Sequence, residues 1–269
     1  MAVSTNSYFN NAIVGTPQVG VNVDVFGKHS TPQFAVGTKF ERQDGSVFRY
    51  AHFGADVNRG VLVAVDASES SAADTDNAIV APASAQTTSD GTIGSKFIEI
   101  TLASVTADQY AGGYFITTDD TGEGYTYRVK GNTATDNPAS GNIRLEIYEK
   151  LQVAVDATTD FIIQGSPYAN LEIATNGTDN VLAGVTVSTM DVSEQAYGWV
   201  LTHGVVGILT DDSVPAAGDI AALSDTDNGA VGTLGNGGTD VTDVIGEQIV
   251  GTCLVAADDT GHGAYKVAI

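Results

Sequence analysis

Cysteine is almost missing from this chain. Cys253 is the single thiol in 269 residues, so no disulfide can staple the fold internally. It sits in the apolar run Ile249-Val250-Gly251-Thr252-Cys253-Leu254-Val255, where a buried structural thiol is expected rather than a reactive one. Positive charge is scarce as well: 11 Lys and Arg stand against 33 Asp and Glu, a net charge of −22. Direct nucleic-acid binding needs a positive footprint, and a chain this acidic argues against it. No apolar run approaches the ~18–20 residues of a membrane-spanning helix. The opening residues Met1 to Asn11 are polar and uncharged, without the basic and apolar regions of a secretory signal, so synthesis and folding in a cytoplasm are expected. Catalytic signatures are lacking too. There is no Gly-x-Ser-x-Gly elbow, no Cys-x-x-Cys and no His-x-x-x-His, and no Gly-Lys-Ser/Thr follows Gly235, Gly237 and Gly238.

The chain is instead full of glycine (31 residues), alanine, threonine, serine and aspartate, with β-branched Val, Ile and Thr. That is the composition of many short strands joined by tight turns. The clearest unit is Gln109-Tyr110-Ala111-Gly112-Gly113-Tyr114-Phe115, then the turn Asp119-Asp120-Thr121-Gly122-Glu123-Gly124, then Tyr125-Thr126-Tyr127-Arg128-Val129-Lys130. Tyr125, Tyr127 and Val129 alternate with Thr126, Arg128 and Lys130, the period of a half-buried strand. Gly accepts positive φ and Asp tolerates it, so residues 119–124 reverse the chain and the whole reads as a hairpin. Asp258-Asp259-Thr260-Gly261-His262-Gly263-Ala264-Tyr265 echoes this turn, and Val63-Ala64-Val65-Asp66-Ala67 is echoed by Val153-Ala154-Val155-Asp156-Ala157. The echoes lie 139 and 90 residues apart, so one tandem duplication does not explain both. No fixed short period supports a solenoid or propeller.

The expected architecture is all-β: two small β-barrel or β-sandwich modules with an extended N-terminal arm. Residues 1–35, interrupted by Pro17 and Pro32, read as the arm. Residues 36–190 read as a β-rich docking domain, opening with strands at 37–41 and 47–53 around Asp44-Gly45, a strong hairpin signal. A low-complexity surface loop is expected at 67–93, strands at 96–102, 143–148, 151–155, 160–164 and 181–187, and at most one helical turn near Thr106-Ala107-Asp108-Gln109. Residues 191–269 read as a compact C-terminal β domain, with Tyr197 to Thr202 paired to Val205 to Leu209 across a turn at His203-Gly204.

Candidate chemistry is thin. His29, His52, His203 and His262 are far apart, and a zinc site needs three or four converging ligands, so no metal and no cofactor are expected. The pairs Asp119-Asp120, Asp211-Asp212 and Asp258-Asp259 are sequential, and neighbours in a strand face opposite ways, so they are not acid/base dyads. Asp225-Thr226-Asp227-Asn228-Gly229 opens like a calcium loop but has Asn236 where a bidentate Glu would stand.

Charge is uneven. Residues 1–65 carry five cations against four carboxylates, +1, which leaves −23 on the other 204 residues. The first 60 residues also hold eight aromatics. Aromatics interleaved with Lys and Arg have the profile of an interface, and the candidate contact set is Tyr8, Phe9, Phe26, Lys28, Phe34, Lys39, Arg42, Arg49 and Arg59.

The blocks Gln109-Tyr110-Ala111-Gly112-Gly113-Tyr114 and Thr121-Gly122-Glu123-Gly124-Tyr125-Thr126-Tyr127-Arg128-Val129 resemble a family of virion structural proteins from tailed bacteriophages, the capsid decoration or cement proteins. Gly37-Thr38, Asp44-Gly45-Ser46-Val47-Phe48-Arg49-Tyr50-Ala51 and Tyr197-Gly198-Trp199-Val200 are similar to the same family. The resemblance implies a β-rich homotrimer, not an enzyme, bound outside the major capsid shell and stabilising it across capsomer junctions. Its partners would be the major capsid protein and copies of itself, with no nucleic acid and no membrane, and its place the exterior of the virion after synthesis in the host cytoplasm. A tail or fibre component, or a carbohydrate-binding β protein, is the alternative.

Overall fold

Turn chemistry sets the first hairpin. The Asp44 carboxylate accepts the amide of Ser46 at 2.8 Å, Gly45 takes φ 83°, and the Arg42 amide closes on the Ser46 carbonyl at 2.9 Å. This register puts Glu41 opposite Val47 and Lys39 opposite Arg49. The computed structural model describes residues 23–65, 71–74, 79–81, 83–87, 89–136, 141–175, 181–235, 248–257 and 261–269. Among these it contains strands and turns and no helix; the expected helical turn at 106–109 is a tight turn only. The strands are β1 (Lys39–Glu41), β2 (Val47–His52), β3 (Leu62–Val65), β4 (Ser71–Asp74), β5 (Phe97–Thr101), β6 (Tyr114–Asp119), β7 (Thr126–Asn132) and β8 (Asn142–Ile147). They continue with β9 (Asp160–Gln164), β10 (Leu171–Ile173), β11 (Val181–Thr186), β12 (Tyr197–Leu209), β13 (Ile220–Leu223), β14 (Val231–Thr233), β15 (Ile249–Val255) and β16 (His262–Ala268). The chain is all-β.

Two compact units form, Met1–Ala67 with Tyr168–Ile269, and Ser68–Pro167. This corrects the sequential division into 36–190 and 191–269. The expected boundary near 190 falls inside one sheet, where β11 pairs β12 through Val185 opposite Leu201. The real break lies between β3 and β10. Those strands are antiparallel neighbours, with Val65 opposite Leu171, so the second unit is threaded into the chain where a hairpin loop would stand. Lengthening a loop costs only a logarithmic entropy, which is why a hairpin tip accepts a domain.

In the first unit the sheet runs β10-β3-β11-β12-β16-β15-β13-β14, with β2 and then β1 added on β12. It curls until its ends meet: the Leu62 amide donates to Gly229 and the Gly229 amide to Ala174, both at 2.8 Å. Inside the curl lie Phe40, Tyr50, Trp199, Tyr265 and Val267, with Val23 and Val25 beside them. A second core of Ala51, Phe53, Val61, Val63 and Val200 fills the opposite face of β2, β3 and β12. β12 is one continuous 13-residue strand, not the expected hairpin. Its first half pairs β2 and its second half pairs β16. The pairing with β2 shifts between Leu201 and His203, and Gly204 beyond it keeps φ 129° while staying in register with Val267, so the glycine serves a close approach to Ser46 and no reversal.

The inserted unit is a six-stranded sheet, β4-β9-β6-β7-β8-β5. The tyrosine hairpin forms as its alternation requires, with Phe115 opposite Tyr127 and Ile116 opposite Thr126. Asp120, Gly122 and Gly124 all take positive φ in the turn. Tyr127 and Val129 enter the core with Ile98, Leu145, Phe161 and Ile163, while Arg128 and Lys130 face out. Part of the loop expected at 67–93 is β4, paired along β9. Residues 151–155 form no strand: Leu151 and Val155 instead cap this core, so their echo of Val63–Val65 has no structural counterpart. The Asp258-Asp259-Thr260 echo lies outside the described residues.

Candidate interaction surfaces

Two of the four histidines, His29 and His52, meet around Tyr197. His29 and Tyr197 exchange backbone hydrogen bonds at 2.8 and 3.0 Å, and His52 lies opposite Tyr197 on β2 with its ring 4.8 Å away. The His29 Nδ1 is 3.0 Å from the Tyr50 hydroxyl, which also accepts the Gln33 amide at 3.2 Å. Burial lowers the pKa of His52 and raises that of Tyr50. The cluster pins residues 29–35 onto β2 and β12. Pairing between residues so distant in sequence leaves no local signal, so sequence reading missed it. His203 and His262 end opposite Ala268 and Leu209.

Among the described residues no three His, Cys, Asp or Glu side chains gather as a metal site would require. The buried Asp211 carboxylate accepts from Ser213 N at 2.7 Å and from Ser224 Oγ at 2.6 Å. The same Ser224 oxygen accepts the amides of Thr226 and Asp227 at 3.1 and 3.0 Å, so the calcium-like stretch is held by turn bonds. Asp225 and Asp227 are exposed. Cys253 is buried as expected, its thiol donating to the Pro215 carbonyl at 3.2 Å. Burial, and then the nearby Asp219 carboxylate, push its pKa up.

The nine candidate contact residues separate. Tyr8 and Phe9 lie outside the described residues. Phe34 is half-buried against the core: its ring meets Tyr50 edge-on at 5.2 Å and Trp199 at 5.3 Å. The described part of the expected arm, residues 23–35, is thus built into the first unit, because Val23, Val25 and Phe34 find apolar partners there. Phe26 is the opposite case, 61% exposed. The Arg42 guanidinium lies 6.0 Å from its ring centroid and 4.8 Å from that of Phe48, a cation held against two aromatic faces. Lys28 is exposed close by in sequence, within electrostatic reach of Asp191. Lys39 and Arg49 are cross-strand partners on β1 and β2. Lys39 is bound to Glu41 at 2.9 Å, while Arg49 donates to the Gly37 carbonyl at 3.0 Å and lies over Tyr168. Arg59 stands apart and exposed in the loop before β3. The structure therefore brings Phe26 and Arg42 together, and separately Lys39 and Arg49.

Two outward faces were not foreseen as surfaces. On the inserted unit, Tyr114 (38% exposed) is paired across the strands with Arg128 and Gln164, and Arg128 lies 5.2 Å from the Tyr148 ring. On the first unit, Val205, Ile220, Leu254 and Val255 are exposed along β12, β13 and β15. Alternation identified the outward positions, but the strand order that makes them neighbours is a tertiary fact. Among the described residues no helix is long and apolar enough to cross a membrane. Scans against protein-family models, curated proteins and solved structures each return no match for this chain.

Proposed function

We propose that this chain is a non-enzymatic virion protein that decorates the outside of a phage capsid, binding the major capsid protein and stabilising the shell across capsomer junctions. The observation that carries the reading is the Phe26–Arg42 pair. An aromatic ring 61% exposed, beside a guanidinium, stands on the near-neutral N-terminal part of a chain that is otherwise −23. Aromatic and Arg side chains are the usual anchors of a protein interface, and burying one such ring contributes about 1.5–3 kcal/mol. A ligand that binds only the assembled lattice stabilises that lattice by mass action. The resemblance of the tyrosine hairpin to decoration proteins supports the same reading and its trimeric state, since closed threefold symmetry matches threefold capsid positions.

Cosedimentation with undecorated capsids tests the proposal. Wild-type protein should pellet with the shells and raise their melting temperature. Phe26→Ala with Arg42→Ala should remain folded and lose most of the binding. Wild-type protein that stays in the supernatant overturns the reading. The outward Tyr114, Arg128 and Tyr148 favour one alternative, a glycan-recognition face on the inserted unit. Binding to a glycan array that is lost in Tyr114→Ala would select it.

A further inference from the structure

The exposed face of β12, β16, β15 and β13 has a composition unlike the rest of the molecule. Residues opposite one another in an antiparallel ladder share a face. Val205 is opposite Lys266, Lys266 opposite Thr252, and Thr252 opposite Ile220, so these four form one line across four strands. Val205 is 59% exposed and Ile220 46%. The bulge in β15 turns Leu254 and Val255 outward beside this line, 42% and 63% exposed. The line holds one cation and no carboxylate. Its inward neighbours Tyr265, Val267, Cys253 and Ala221 are core, so the outward residues are fixed by the ladder and unable to turn in.

We infer that this face is a contact between two copies of the chain, related by a twofold axis running along the strands between β16 and β15. Charge selects the occupant. Each copy carries −22, which opposes association through the acidic surfaces, whereas this line presents no carboxylate to its mate. Order along the line selects the symmetry. The sequence apolar, Lys, Thr, apolar is self-complementary under that axis. It sets Val205 against the partner's Ile220 and Lys266 against the partner's Thr252, with no cation facing a cation. Area sets the strength. Four strands about 4.8 Å apart and some three outward layers about 6.8 Å apart give a face of roughly 300–400 Å². A standard stable interface uses about 800 Å² per partner, so this contact is weak and concentration-dependent. It becomes effective where copies are held at high local concentration, as on a lattice. That last consequence rests on the decoration reading, but the contact itself does not.

Sedimentation velocity of the full chain, from about 5 μM to about 500 μM, reads the contact in the concentration range expected of a small interface. The dilute species, whatever its own subunit number, should double in mass. Val205→Glu should move the midpoint upward at least about tenfold, the effect of a charge left against an apolar partner, with its unfolding curve unchanged. An oxidised mixture of Val205→Cys and Ile220→Cys chains should cross-link, and neither variant alone should do so efficiently. No mass increase at the highest concentration overturns the inference, as does association indifferent to Val205→Glu. Cross-linking by Val205→Cys alone overturns the twofold arrangement. None of these measurements involves a capsid, so their failure is distinct from failure of the decoration reading.

Discussion

Removing Arg144 should damage the inserted unit far more than removing the carboxylate it binds. Asp90 is fully buried, and Arg144 donates to it through Nε at 2.8 Å and Nη2 at 2.9 Å. Thr87 Oγ1 donates to the same carboxylate at 2.6 Å, and the guanidinium stacks 3.8 Å from the Phe97 ring centroid. The Arg144 side chain keeps 26% exposure, whereas that of Asp90 keeps none. Arg144→Met retains the stem and strands a carboxylate with no route to water, at a cost of about 3–4 kcal/mol. Asp90→Ala strands a cation that can still reach solvent, so about 1–2 kcal/mol is expected. For a unit spanning Ser68–Pro167, each kcal/mol lowers Tm by roughly 4–8 °C, so Arg144→Met should shift this transition by at least ~12 °C. The only Trp, Trp199, is in the other unit, so Trp fluorescence follows that unit, and amide hydrogen exchange resolved to residues 68–167 follows this one. Burial pushes the Asp90 carboxyl up, but the hydrogen bonds from Arg144 and Thr87 outweigh it and hold its pKa below the ordinary value. The pair's stabilisation is therefore present above about pH 4 and lost as pH falls through the lower, folded-state value. Equal costs for the two substitutions, or a cost below about 1 kcal/mol for Arg144→Met, would refute the reasoning.

Gly113→Ala should cost more than about 2 kcal/mol in denaturant melts, because a Cβ there meets the Gln164 carbonyl and the Gly165 backbone, neither of which can step aside. A melt indistinguishable from wild type would refute that. His52 is held neutral by burial, its pKa lowered. The unfolded chain then takes up more protons, so stability should be full above about pH 6.5 and decline as pH falls below it. His52→Gln should flatten that decline, and an unchanged slope would show that His52 is not its source. The buried Cys253 thiol should resist a disulfide reagent in the native state and react only on the timescale of unfolding. Rapid reaction in native buffer would contradict its placement.

What could be read in the sequence was local. Asp44-Gly45 and the 119–124 turn carry their own φ requirements, and the alternation through Tyr127 and Val129 or through Ile143, Leu145 and Ile147 fixes a face before any partner is known. What escaped was pairing at long range. β3 meets β10 across the inserted unit, and nothing in Leu62 to Val65 announces a partner more than a hundred residues on. The same limit misplaced the domain boundary near 190 and divided β12 at Gly204, since a positive-φ glycine inside a strand and one in a turn look alike in the sequence. Interface residues were half legible. Composition picked out the aromatics and cations of the first 60 residues, but only packing separates Phe34, wedged against Trp199, from Phe26, standing out beside Arg42.

Cryo-electron microscopy of capsids incubated with the protein tests the central claim most directly. The account predicts density on the outer surface bridging neighbouring capsomers, with Phe26 and Arg42 against the shell. Capsids that remain bare at saturating protein, or density attached through the acidic surface with Phe26 facing solvent, would contradict it.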